Sequence, residues 1–179
     1  MRYLLLAAGL VLAGCGLGET ETLPDISAEG ECQIPSNQIF DGGPGKDGIP
    51  ALTNPALVPA AEATYLQGSD RVVGIVRDGQ AVAIPHNVLW WHEIANVDLS
   101  AYGLGSEQLA VSYCPLTGST IAFDRSAVGG AEFGVSGLLF QTNLIMYDRR
   151  DSESLWPQMS RQAECGTATG TALPMESII

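Results

Sequence analysis

The chain has 179 residues, of which 20 are acidic and 8 are basic, giving a formal net charge of −12. Nucleic acids and anionic lipid headgroups are bound through basic patches, so this charge balance argues against both as partners. The length suits one domain with a substantial core behind an N-terminal leader.

The N-terminus has the pattern of a bacterial lipoprotein signal. Arg2 precedes an apolar stretch, Tyr3–Leu12, that is too short to span a bilayer as a helix. Small residues lead into Cys15, as in a lipobox, where the thiol is acylated and becomes the mature N-terminus. We therefore predict a signal peptide over residues 1–14 and a membrane attachment through a lipid on Cys15. This places the domain in the cell envelope, at the outer membrane or cell surface. The alternatives are an ordinary secretory signal or an uncleaved anchor.

Residues 15–39 are mostly polar and poor in aromatic side chains, which is typical of a flexible tether. The remaining residues, 40–179, are predicted to form a single β-rich domain.

The pattern of this domain is one of short strands separated by turn residues. Two strands, 71–76 and 81–84, flank Asp78-Gly79, a dipeptide that favours a hairpin. Gly134 and Gly137 mark bends or bulges in the later strands. Residues 87–94 suit a short helix or a strand, and 154–159 are predicted as one helical turn. Further strands are predicted over 108–113, 120–123, 132–135, 138–141 and 143–147. The predicted fold is mainly β, with antiparallel hairpins forming a sandwich or a partly open barrel and few short helices.

With Cys15 assigned to lipid, the cysteines that remain are Cys32, Cys114 and Cys165. An odd number in an oxidising compartment leaves one thiol free, metal-bound or paired with another molecule. Three pairings are possible. Position alone suggests that Cys32 pairs with Cys165, which would leave Cys114 unpaired at the turn that follows its predicted strand.

The residue types that suit a metal are Cys114 and the chain's two histidines, His86 and His92. A thiolate with imidazoles favours copper or zinc, and Met146 or Met159 would add a thioether. The spacing matches no standard metal motif. The alternative is that His92 is a hydrogen-bonded core residue and Cys114 a small buried apolar residue.

The same side chains suit covalent catalysis. Cys114 would be the nucleophile, His92 the base, and Glu93, Asn96 or Asp98 the group that orients the base. This predicts a thiol-dependent hydrolase or transferase. Arg149 suits a bidentate bond to a carboxylate, either of a ligand or of the chain itself.

Several blocks of the sequence occur in a familiar order: Asp47–Pro55, Trp91–Asn96, Tyr113–Gly118, Phe133–Gly137, Met146–Arg149 and Ser154–Gln158. Together they resemble the bacterial and archaeal family called domain of unknown function 3179, from about Lys46 to Leu173. The resemblance implies an exported, often lipid-anchored domain and brings no established reaction. It points to polar residues that lie in its motifs and carries over no catalytic role; they are His92, Glu93, Cys114, Ser136, Asp148 and Arg149. We take Trp91, Ser136, Asp148 and Arg149 as candidate ligand contacts, and Cys114, His92 and Glu93 as candidates for chemistry. Members commonly continue into a tryptophan-containing segment, whereas this chain stops at Ile179, so either it is a short form or its C-terminal part is missing.

These observations favour a lipid-anchored envelope domain that binds a metal or small ligand at a pocket of Cys114 and His92. One alternative is a non-catalytic module that docks an envelope protein or polysaccharide through aromatic and acidic surface. The thiol-dependent enzyme is the other.

Overall fold

A computed structural model describes residues 32–179. One α-helix, four short 3-10 turns and twelve strands make up this part of the chain. In chain order the elements are β1 (Ile39–Asp41), β2 (Leu52–Thr53), β3 (Val72–Arg77), β4 (Gln80–Pro85), α1 (His86–His92), β5 (Ile94–Asp98), β6 (Gln108–Cys114), β7 (Ser119–Asp124), β8 (Phe133–Phe140), β9 (Asn143–Asp148), β10 (Ser154–Pro157), β11 (Cys165–Gly166) and β12 (Met175–Glu176).

The strands form two five-stranded sheets and a separate hairpin. The first sheet has the order β1-β8-β9-β10-β11, the second has the order β12-β7-β6-β5-β2, and β3 pairs with β4. Every pair is antiparallel except β2 with β5. The sheets curl into a half-barrel, so the prediction of a mainly β fold with antiparallel hairpins is confirmed.

The central strand β6 explains where the core lies. Its run Leu-Ala-Val-Ser-Tyr-Cys is buried throughout, because both faces of the strand are covered. On one face Ala110 and Cys114 pack with Trp156 and Met146 of the first sheet. On the other face Val111 packs in a cluster with apolar side chains of the β3–β4 hairpin.

The structure corrects or refines three predictions about local structure. Residues 154–159 were predicted as a helical turn, and this was wrong: Ser154–Pro157 is a strand whose Leu155 pairs with Tyr147 of β9. Tertiary pairing overrides the local pattern there, since Trp156 is fully buried between the sheets. Residues 87–94 divide between α1 and the start of β5. The predicted strands 132–135 and 138–141 are one strand, β8, with an irregular register between Val135 and Leu139.

Cys32 and Cys165 form a disulfide, which confirms the suggested pairing, and Cys114 is a free, buried thiol. Ile34 and Ile39 are buried, so the end of the predicted tether packs on the domain. The predicted signal peptide and Cys15 lie outside the described residues. No helix within residues 32–179 is long and apolar enough to cross a membrane.

Candidate functional site

Two hairpin turns, one joining β6 to β7 and one joining β8 to β9, border a cavity of about 380 Å³. The segment that follows β10 closes its remaining side. None of its lining side chains carries a charge at any ordinary pH. They are Thr117, Ser119, Phe140, Gln141, Asn143, Pro157, Met159 and Ser160.

A buried hydrogen-bond network lies behind this cavity and centres on Gln158, which is fully buried. Its Nε2 donates to Ser112 Oγ at 2.9 Å and lies 3.3 Å from the carbonyl oxygens of both Ser112 and Ser119. Its Oε1 accepts from Ser119 Oγ at 2.6 Å and from Asn143 Nδ2 at 2.8 Å. The network therefore joins the second sheet to the first through neutral groups.

Asn143, which is only 5% exposed, carries the network to the cavity. Its Nδ2 also lies 3.0 Å from Thr117 Oγ1 and 3.1 Å from Ser119 Oγ. Its Oδ1 is buried and has no hydrogen-bond partner within residues 32–179. An unsatisfied buried acceptor costs roughly 1–3 kcal/mol, so this atom is an unusual feature of a native core.

The β8–β9 turn beside the cavity is held in a conformation that its residues disfavour. Gln141 and Thr142 have φ of 48° and 69°, as the two central residues of a type I′ turn require. A β-branched residue rarely adopts positive φ. Strain of this kind persists only where surrounding structure fixes it, and it is more frequent at binding sites.

Cys114 ends β6, next to the cavity but not in its lining. It is 1% exposed, and its Sγ lies 3.9 Å from the Thr142 carbonyl oxygen. Within the described part of the chain, no hydrogen bond joins this thiol to either imidazole. The turn after Cys114 thus supplies two hydroxyl groups to the cavity, those of Thr117 and Ser119. The thiol itself packs in the core.

The two histidines are held by different elements. His92 Nδ1 donates to the Pro50 carbonyl oxygen at 2.8 Å. The ring of His86 packs on Tyr113, with centroids 4.8 Å apart, and its Nε2 lies 3.4 Å from Thr120 Oγ1. Burial, with a contribution from the Arg71 charge, lowers the pKa of His86. Across residues 32–179, no three His, Cys, Asp or Glu side chains come together as a metal-binding group.

Glu93 connects α1 to β5 with a strained backbone, at φ 56°. Its N–H donates to the Leu89 carbonyl and its own carbonyl accepts from the Tyr113 N–H, both at 2.7 Å. Burial raises the pKa of its carboxyl group. The neighbouring Trp91 is 72% exposed, so it is available for contact with another molecule.

The other candidate ligand contacts hold the first sheet together. Ser136 Oγ donates to the Ile145 carbonyl at 2.5 Å and accepts from the Leu138 N–H at 3.0 Å, beside the irregularity in β8. Asp148 is fully buried and accepts from Trp156 Nε1 at 2.7 Å and from the Arg150 guanidinium at 2.8 and 2.9 Å. Both groups are satisfied by the chain itself.

Arg149 binds a carboxylate of the chain itself, that of Asp47, at 2.8 Å. Tyr147 donates its phenol hydrogen to the same carboxylate. Burial alone would raise the pKa of Asp47, but these two hydrogen bonds outweigh it and hold the pKa below its ordinary value. The arrangement fastens the glycine-rich loop before β2 onto the first sheet.

A second cavity, of about 510 Å³, has a different chemistry. It lies between the loop after β2, strand β4 and α1, and its lining side chains are apolar apart from the Tyr65 hydroxyl. Leu57, Val58 and Tyr65 at this site are 44%, 54% and 59% exposed. This groove is therefore partly open to solvent.

Sequence reasoning missed the polar residues of the first cavity. Asn143 and Gln158 received no role, although Gln158 belongs to the block Ser154–Gln158 and Thr117 to the block Tyr113–Gly118. The sequence did contain a signal for them. In both blocks, uncharged polar residues follow a proline, Pro115 or Pro157, that marks the end of a strand.

Comparison with protein-family models gave a match over residues 46–179 to the family described as Protein of unknown function (DUF3179). Comparisons with curated proteins and with solved structures gave no match.

Proposed function

The chain belongs to the DUF3179 family, whose description names no activity, and from the site geometry we propose that its domain binds a neutral small molecule in the cavity between the two hairpin turns. One observation carries this proposal. The cavity is lined entirely by uncharged side chains and is backed by the buried network of Asn143 and Gln158.

The size and lining fit a small polar ligand. A volume of about 380 Å³ lies within the range of pockets that hold small molecules. Thr117, Ser119 and Asn143 offer polar contacts, while Phe140 and Met159 offer apolar surface. The chain has a net charge of −12, yet no charged side chain lines this cavity. The cavity is therefore suited to a neutral ligand, whose affinity should be insensitive to salt concentration.

The cavity is favoured over a site built on Cys114 and His92. The Cys114 thiol is 1% exposed, whereas reactive thiols are accessible and lie in electropositive surroundings. His92 is engaged with Pro50. The metal and thiol-enzyme hypotheses therefore have less support from the geometry than ligand binding.

Titration of the ¹⁵N-labelled domain with glycerol, acetamide and sodium acetate tests the proposal. We expect glycerol or acetamide to shift the backbone signals of the two turns, and acetate to have less effect because its charge finds no partner there. Thr117→Val should weaken binding about two- to tenfold, since it removes a lining hydroxyl at constant shape. Thr120→Val, on the same hairpin but outside the cavity, is the matched control. Absence of shifts at both turns with all three probes would contradict the proposal.

We further propose that the domain works in the cell envelope on a lipid tether at Cys15. The Cys32–Cys165 disulfide supports an exported location, because such bonds persist in oxidising compartments. Mass spectrometry of the membrane-bound protein should find a diacylglyceryl group on Cys15, and Cys15→Ser should release the protein from the membrane fraction. An unmodified Cys15 in membrane-bound protein would be inconsistent with this tether.

A further inference from the structure

The outer edge of strand β4 carries backbone groups without hydrogen-bond partners. In the β3–β4 hairpin Ala83 lies opposite Gly74, and Gly74 exchanges two backbone hydrogen bonds with Ile179, at 2.8 and 3.0 Å. Residues that face each other in an antiparallel pair either bond to each other or both turn their groups outward. The N–H and C=O of Ala83 therefore point away from β3, and so do those of Ala81. Within residues 32–179, β4 pairs with β3 alone and no other hydrogen bond reaches these four groups.

The groove of about 510 Å³ runs along this edge. Side chains of a strand alternate between its two faces, so a cavity on one face contacts every second residue. This groove instead contacts five consecutive residues, Ala81–Pro85, and no residue of β3. It therefore borders the edge of β4 that β3 leaves free. It shares no lining residue with the cavity between the two hairpin turns.

The edge of β4 lacks most of the features that prevent a strand from pairing with another chain. Native edge strands often carry charged side chains, prolines or bulges. Strand β4 has no charged residue, its register with β3 is continuous, and its one proline, Pro85, stands at its end. Ala81 and Ala83 are exposed, and their small side chains leave room for another backbone at the usual strand separation of about 4.8 Å.

We propose that this groove binds an extended, uncharged peptide segment of another protein, which pairs with β4 as an additional antiparallel strand. Bonds to Ala81 and Ala83 satisfy all four free groups, as in other proteins that bind peptides by strand addition. The antiparallel direction is favoured because it is the more stable pairing per residue. The five lining positions of β4 span about 15 Å, so the groove holds a segment of about five residues.

The burial of β4 also specifies the side chains of the peptide. Ala81 and Ala83 are exposed, whereas Val82 and Ile84 are buried, with 6% and 4% exposure. Residues directly opposite each other in paired strands lie on the same face of the sheet. Peptide residues opposite Val82 and Ile84 therefore face the core side, and the residues between them face solvent. The segment should alternate apolar with uncharged polar residues.

Charge and crowding favour a separate peptide over other occupants. No charged side chain lines the groove, and a buried charge without a partner is costly. Between Glu19 and Glu31 this chain has an acidic residue at least every fourth position, so that segment is poorly suited to the groove. A second copy would bring the loop that lines its own groove, and two such loops would hold two β4 edges apart.

Titration of the ¹⁵N-labelled chain with acetyl-Thr-Val-Thr-Val-Thr-amide tests the proposal. We expect the amide signals of Ala81 and Ala83 to shift and their hydrogen exchange to slow, because both N–H groups gain acceptors. With either valine opposite Val82, the central threonine pairs with Ala81 or Ala83. Methylation of its nitrogen removes a donor and should weaken binding roughly tenfold. Equal affinity of the two peptides, or no shift at either alanine, would overturn the proposal.

Ala83→Pro tests the same edge from the side of the protein. The ring removes the outward N–H and leaves the bonds between β3 and β4 in place, since proline is tolerated on an edge strand. We expect roughly tenfold weaker binding of the unmethylated peptide. The matched control Ala83→Thr keeps the N–H and should stay within about twofold of the wild type. Wild-type affinity in Ala83→Pro would contradict strand addition, and if this variant does not fold the two peptides decide the matter.

Two further results would assign the edge to another occupant and overturn the proposal. Slow exchange of the Ala81 and Ala83 amides in the monomeric chain without peptide would mean that the chain covers its own edge. A wild-type dimer in analytical ultracentrifugation that Ala83→Pro converts to a monomer would assign the edge to a second copy. We expect a monomer in which both amides exchange rapidly until the peptide is added.

Discussion

Glu93 combines a backbone conformation and a side-chain environment that are both unfavourable for a glutamate. Its backbone has φ 56°, a conformation that side chains other than glycine rarely adopt. Burial raises the pKa of its carboxyl group, and no side chain of the described region donates a hydrogen bond to it. The sharp passage from α1 into β5 requires this conformation, because Glu93 bonds Leu89 on one side and Tyr113 on the other.

This environment predicts that Glu93→Gln stabilises the domain at neutral pH. The folded state raises the pKa above its ordinary value of 4.5. The protonated carboxyl group of Glu93 therefore adds to the free energy of unfolding below pH 4.5. This contribution is lost as the pH rises through the folded-state pKa. We expect the melting temperature to increase by about 1–3 °C at neutral pH and the difference to vanish in acid. Thermal unfolding across the acid and neutral range measures it, with the exposed Glu62→Gln as control. A neutral-pH melting temperature equal to or below that of the wild type would refute the argument.

Cys114 and Asn143 show what the sequence could reveal about the site. Cys114 is conspicuous because thiols have distinctive chemistry, yet it packs against Trp156 in the core. Asn143 is inconspicuous in sequence, because its hydrogen bond to Gln158 joins β9 to the end of β10. Gln158 is held in turn by the carbonyl groups of Ser112 in β6 and Ser119 in β7. Local patterns identify reactive residue types, whereas an unsatisfied acceptor is a property of the packed structure.

Among the elements, the turn of the β3–β4 hairpin was predictable from its glycine, whereas for the β8–β9 hairpin only the flanking strands were predicted. Asp78-Gly79 predicted the β3–β4 hairpin, and both residues have positive φ, 49° and 79°. Gln141 and Thr142 adopt the same sign of φ without glycine. The β8–β9 pairing on either side imposes this turn, so its conformation follows from the sheet rather than from its own residues.

Strand β10 is the element for which local pattern and structure disagree most. The segment Ser154–Met159 alone suggested a helical turn, but Trp156 packs edge-on against Phe133 with ring centroids 5.7 Å apart. Its indole N–H also reaches the buried Asp148. Both partners lie on other strands, so the burial of one large side chain decides the conformation of the segment.

At the scale of the whole molecule, the Cys32–Cys165 disulfide closes nearly the entire described chain into one loop. The two cysteines are separated by 133 residues, and the Gln33 N–H continues the contact by donating to the Glu164 carbonyl at 2.7 Å. A crosslink over so long a loop restricts the unfolded chain strongly. Its contribution to the free energy of unfolding should therefore be large for a domain of this size.

Reduction of this bond is expected to lower the free energy of unfolding by about 2–5 kcal/mol, measured by urea denaturation with and without dithiothreitol. Cys32→Ala/Cys165→Ala should reproduce the loss without reductant, since it removes the same constraint. Cys114→Ala serves as the control: its thiol lies in the core and in no disulfide, so this variant should keep its sensitivity to dithiothreitol. If reductant left the unfolding midpoint of the wild type unchanged, the bond would contribute nothing to stability, and the sheets alone would hold the N-terminal segment in place.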